Sequence, residues 1–210
     1  MGSTVLLIAL VGCTGGRPPP QVGETIGSIP DMMGRTVMVL PVQVVDGVPG
    51  PIDPELEFAL NEHGEGIEWI FPAQLQRQVD RTPALDMRLG DLPVGTFFRA
   101  EMERIGDPLF GHIRRLAGLT GAEMAIIPLR VRYRGPIEPG PEMEPEDPEI
   151  EPQGPAIEIM ATVLDAVSGR VFWTGVVEGD EGQADHPATL ASAADSFAGR
   201  MAWSAPVSDR

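Results

Sequence analysis

Lysine is absent from these 210 residues, and cysteine occurs once, at Cys13. One thiol cannot form an intrachain disulfide, so burial alone must stabilise the fold even in an oxidising compartment. A domain of roughly 150 residues can bury enough surface to do so. All 15 basic residues are arginine, against 31 acidic residues, for a formal net charge of −16. That excess repels phosphate backbones and anionic lipid surfaces and excludes nucleic acid as a partner. The apolar run at residues 5–11 has seven residues, far below the roughly 20 that a membrane-spanning helix needs. Catalytic signatures are missing as well. No G-x-S-x-G elbow, P-loop or G-x-G-x-x-G follows a strand, and His63, His112 and His186 form no H-x-x-x-H or H-E-x-x-H pair. The chain is expected to carry no catalytic centre and no cofactor.

What is present near the start explains the lone thiol. The run at 5–11 has the length of a short signal-peptide h-region and ends in Leu10-Val11-Gly12-Cys13. This stretch resembles the lipobox of bacterial lipoproteins. The resemblance implies a signal peptide over 1–12, cleavage between Gly12 and Cys13, and lipid modification of Cys13, which becomes the acylated N-terminus. Thr14 follows the cysteine with no Asp there, which suits outer-membrane sorting by the enterobacterial rule. One feature departs from the pattern: Met1-Gly2-Ser3-Thr4 holds no Lys or Arg, whereas signal peptides carry a positive n-region. N-myristoylation is excluded, because its motif needs Ser or Thr where this chain has Leu6.

Residues 13–34 are rich in Gly and Pro without a period and read as a flexible tether. Residues 35–203 read as one periplasmic α/β domain, and 204–210 as a tail. Within the domain, "RTVMVLPVQVV" is a strand covered on both faces, irregular at Pro41, which cannot donate to a ladder. Asp53 and Pro54 suit the N-cap and first position of a short helix. "GIEWIFP" is a second strand, and "PAQLQRQVD" a short amphipathic helix. Residues 83–106 have mixed signals and read as a loop with one short strand. Asp107 and Pro108 open a helix that ends near Gly118 or Gly121. "AEMAIIPLRVRYRG" is a strand in which Ala125, Ile127, Leu129, Val131 and Tyr133 alternate with Arg130, Arg132 and Arg134. Residues 135–155 hold seven acidic residues and seven prolines, a composition that stays extended and solvated. The next segment is a hairpin with strands near 156–165 and 170–178, and a C-terminal amphipathic helix follows. The predicted fold is an α/β sandwich, a mixed sheet of about five strands with amphipathic helices packed on it.

Two clusters are candidate binding residues. Arg130, Arg132 and Arg134 share one strand face about 7 Å apart. They suit either an acidic partner, with the protein's own 138–151 segment as one candidate, or cross-strand carboxylates such as Glu158. Asp180, Glu181, Asp185 and His186 gather in the loop 179–187 and are possible cation ligands, although their spacing is not that of a calcium loop. His112 is expected to be an exposed helical residue.

Three stretches carry a further resemblance. "TVMVLPVQ" resembles the opening strand of small envelope domains: the curli secretion lipoprotein CsgG, the penicillin-binding-protein activator LpoB and the N-terminal domain of TolB. "VLDAVSGRVFWTG" is similar to their late hairpin, with Asp165, Ser168, Gly169 and Trp173 in the turn and the following aromatic position. "GAEMAIIPLRVRY" stands where they have a strand after a helix. Val42 replaces a frequent aromatic, and the acidic insertion lies outside the pattern. The resemblance implies an outer-membrane-anchored, periplasm-facing domain without a catalytic centre. Its partners would be the membrane, through the lipid, and an envelope protein. The alternative is a small-ligand or cation-binding lipoprotein using the loop 179–187.

Overall fold

A computed structural model describes residues 20–83, 85–136 and 154–202. In chain order the elements are β1 (Thr25–Gly27), β2 (Thr36–Val39), β3 (Val45–Asp46), α1 (Ile52–His63), β4 (Glu68–Ile70) and α2 (Pro72–Asp80). They continue with α3 (Leu109–Thr120), β5 (Met124–Arg134), β6 (Ala156–Asp165), β7 (Val171–Glu178) and α4 (Pro187–Ala202). The strands form a single seven-stranded sheet in the order β1-β7-β6-β5-β2-β4, with β3 also on β5. Pairings of β2 with β4 and β5 are parallel, whereas β5, β6, β7 and β1 run antiparallel in turn. The α/β class and the mixed sheet agree with expectation. The strand count does not, because β1 and β3 are short strands without an alternating apolar pattern.

Helices cover both faces. On one, α1 and α4 bury Leu56, Leu60, Ala194 and Phe197 against Val37, Ile126, Ile159 and Trp173. On the other, α2 and α3 bury Leu75, Ile113 and Leu116 against Met38, Ala125, Ile127 and Leu164. Residues 85–106 contain no strand; they join this second core through Leu89, Leu92, Val94 and Phe97. A stretch that packs as an irregular cover needs no period, which is why its sequence pattern is illegible.

Several local expectations are corrected. The first helix is 12 residues long, its N-cap is Pro51, and the Asp53 carboxylate instead accepts the Val42 N–H at 2.9 Å. Burial raises the pKa of Asp53 and the Val42 amide partly offsets the rise. The strand read from 35 is broken after Val39, so β2 and β3 are separate. The tether does not extend to 34: β1 pairs with β7, Val22 bridges to Val176, and Met32 is buried. Gly27, at φ 80°, lies where a Cβ would collide with the Phe172 carbonyl oxygen, so the glycine is needed for the close approach of the chain to β7. The third helix begins one residue later than expected: Pro108 and not Asp107 is its N-cap, the Asp107 carboxylate accepts the Gly111 N–H at 3.1 Å from outside the cap position, and the helix ends at Gly121 in the left-handed region.

Candidate functional site: an arginine cleft on the sheet

The cleft originates in a single irregularity of β5. Pro128 pairs with Ala161 and Arg130 with Met160, leaving Leu129 as the extra residue of a bulge. A proline has no N–H to give to the ladder, so a break at this point costs the sheet least. The bulge exchanges the two faces. Ala125, Ile127 and Leu129 lie in the α2/α3 core, whereas Val131 and Tyr133 pack toward α1 and α4. The uninterrupted period of two in the sequence therefore spans two faces, not one. Arg130, Arg132 and Arg134 consequently emerge on the α2/α3 side, where they line a cleft of about 490 Å³. Met160 and Val176 line it too, together with Phe98 of the 85–106 loop and residues 20–22 of the N-terminal arm.

Each arginine is held differently. The Arg130 guanidinium lies 4.5 Å from the centre of the Phe98 ring, and its Nε is 3.3 Å from Asp46 Oδ2. Arg132 Nε donates to Glu158 Oε2 at 2.5 Å. Arg134 Nη1 is 3.2 Å from Glu158 Oε1, while its Nη2 donates to Glu178 Oε1 at 2.6 Å and to the Gly154 carbonyl at 3.0 Å. Register explains the set, since Arg132, Glu158 and Glu178 are successive cross-strand neighbours on β5, β6 and β7. Glu158 is only 2% exposed, whereas the Arg132 side chain keeps 48% of its surface. The cross-strand carboxylate expected at Glu158 is present, and beside it an open, arginine-lined surface remains. Phe98, Glu178 and the 20–22 arm are parts of this site that the sequence reading misses. Glu178 is within reach of the hairpin register; Phe98 lies in a loop with no period to place it.

The remaining candidates fall elsewhere. Gly12 and Cys13 lie outside the described residues, as do most of the acidic insertion and the tail. Asp165, Ser168 and Gly169 build the β6–β7 turn. The Asp165 carboxylate accepts the Val167 and Ser168 amides at 2.9 and 2.6 Å, and Gly169 takes φ 73°. Burial pushes the Asp165 pKa up, but the two amides, the Ser168 side chain and the Arg104 charge together leave it below its ordinary value. Trp173 is fully buried against the α1/α4 core. The turn and its aromatic are structural.

The loop 179–187 does not assemble its acids. Glu181 accepts the Gly154 amide, the Asp180 amide donates to Ser192 Oγ, and His186 Nδ1 accepts the Ala188 N–H at the start of α4. Among the described residues, no group of three or more His, Cys, Asp or Glu side chains is placed to hold a metal ion. His63 Nε2 lies 2.6 Å from Asp195 Oδ1, joining α1 to α4. His112 is half-buried, not exposed, beside Asp86, Arg88 and Asp91. Among the described residues no helix is long and apolar enough to cross a membrane.

No protein-family profile matches the chain, and no curated protein does. Among solved structures it is similar to the lipoprotein GNA1162 from Neisseria meningitidis, at 12% identity and TM-score 0.38, over 74% of this chain and 87% of that one. It is also similar to PelC from Paraburkholderia phytofirmans, described as a dodecamer, at 12% identity and TM-score 0.34, over 85% and 91% of the two chains. A single-residue variant of the same PelC gives 11% identity and TM-score 0.36, over 85% and 95% of the two chains. These likenesses are too distant to assign a role. They do not carry the resemblance to CsgG, LpoB or the N-terminal domain of TolB expected from "TVMVLPVQ".

Proposed function

We propose that this chain is a bacterial outer-membrane lipoprotein, anchored through Cys13, whose periplasmic α/β domain works by binding an envelope protein and not by catalysis. One observation carries the reading. The only cysteine follows a short apolar run and a Leu-Val-Gly triplet, and the described domain starts seven residues later, at Pro20. A thiol in that setting serves as an attachment point, and the domain behind it is held at a surface. The arginine cleft is the binding region favoured here, because it sets three cations and an aromatic ring around a partly open surface in a chain of net charge −16. Arginine and aromatic side chains are the usual anchors of protein interfaces.

A photo-crosslinking residue in place of Arg132, activated in intact envelopes and followed by mass spectrometry, tests the partner. The expected result is a discrete crosslinked envelope protein from that position and none from Val167, an exposed turn residue remote from the cleft. Crosslinking from Val167 alone contradicts the assignment.

A further inference from the structure

Two helices of the domain carry opposite charge. α1 holds Asp53, Glu55, Glu57 and Glu62 and no arginine. α3 holds Arg114 and Arg115 and no acidic residue. The two lie on opposite faces of the sheet, so they cannot neutralise each other within one molecule. Among the described residues, no ion pair engages Glu55, Glu57, Glu62, Arg114 or Arg115.

Helical geometry gives each face a shape. At about 100° per residue, Glu55, Phe58 and Glu62 form one stripe on the side of α1 turned away from Leu56 and Leu60. The Phe58 ring is 64% exposed, a large apolar group left in water between two carboxylates. On α3 the side turned away from Ile113 and Leu116 presents Gly111 and Gly118, with Arg114 along one flank and Arg115 along the other. A Cβ at Gly118 would meet no atom within 4 Å, so the helix surface there is a bare floor between two cations. Glu55 and Glu62 are seven residues apart, as are Gly111 and Gly118, a rise of about 10.5 Å on each helix.

We propose that the partner of these faces is a second copy of this chain. α1 of one molecule lies across α3 of the next, with the Phe58 ring on the Gly118 floor and Glu55 and Glu62 against Arg114 and Arg115. An aromatic ring flanked by arginines gains both burial and cation–π attraction. Both halves of the contact belong to the same sequence, which is what selects a second copy over an unrelated basic partner. Because the halves lie on opposite faces, one twofold axis cannot join both. Each copy therefore uses α1 toward one neighbour and α3 toward the other, and the association runs head to tail. The net charge of −16 opposes the approach of two copies. At physiological ionic strength charges more than about 8 Å apart are largely screened, and those in contact much less so. The contact leaves Arg130, Arg132 and Arg134 unused.

Sedimentation velocity of the full chain tests this, with Cys13→Ser in every sample so that neither lipid nor disulfide joins copies. A concentration of about 0.1 mM populates a contact of micromolar Kd. The chain should form a series of species above the monomer. Arg114→Glu with Arg115→Glu should weaken the association at least about tenfold, and so should Glu55→Arg with Glu62→Arg, since each reverses two exposed ion pairs. Mixed in equal amounts, the two variants should associate again, because α1 of each then faces an oppositely charged α3 of the other. Both variants remain acidic overall, so bulk attraction cannot produce that result. All four side chains lie outside the buried cores, and thermal unfolding of each variant checks that the fold is kept. A native chain that stays monomeric overturns the proposal. So does association that persists undiminished in both variants, or a mixture that fails to associate.

Discussion

Glu158 lies in mid-strand on β6, almost wholly removed from water, with Arg132 and Arg134 as its counterions. A buried carboxylate is tolerated only while its partners remain, and removing them costs more than the pair contributes. The double substitution Arg132→Ala, Arg134→Ala should therefore destabilise the domain by about 3–5 kcal/mol. Adding Glu158→Leu to the same chain should recover much of the loss, because the stranded charge goes with its partners. Urea unfolding of the double and triple variants measures both effects. A double variant as stable as the native chain would show that Glu158 finds solvent or other donors. The same comparison separates two uses of the arginines: Arg134, with a side chain 14% exposed, is mainly structural, and Arg132 is available for contact.

Packing of the elements depends on close approach at a few points. Gly179 follows β7 and lies against α4, where a Cβ would fall 2.5 Å from the Ala193 nitrogen and 2.7 Å from its Cα. The obstacle is helix backbone, so it cannot rotate aside. Gly179→Ala should cost about 1–3 kcal/mol, while Gly118→Ala on α3, with open space around it, should be neutral or slightly stabilising. Thermal unfolding distinguishes them, and equal midpoints would contradict the packing described. At this scale the long regular elements are legible in the chain. β6 and β7 can be placed within a residue of their bounds because apolar runs flank an Asp-x-x-Ser-Gly turn, and α3 because Pro108 and Gly121 mark its ends. Features fixed by tertiary contacts are not legible. β1 is held by its partner β7 and has no pattern of its own. The bulge at Leu129 keeps the alternation of residue types intact while reversing which face each type occupies. The cleft is half legible for that reason: its arginines are evident, but not the wall of Phe98 and the arm that encloses them.

The described residues form a seven-stranded α/β/α domain. They present an arginine-lined cleft, with an N-terminal arm built into the sheet beside it. Everything proposed for its role depends on the attachment proposed at Cys13, which would account for the single thiol and the apolar run before it. Metabolic labelling with palmitate, read together with flotation of the membrane fraction, tests that attachment directly. The native chain should incorporate label and float with membranes, and Cys13→Ser should lose both. An unlabelled native chain recovered in the soluble fraction would contradict the account.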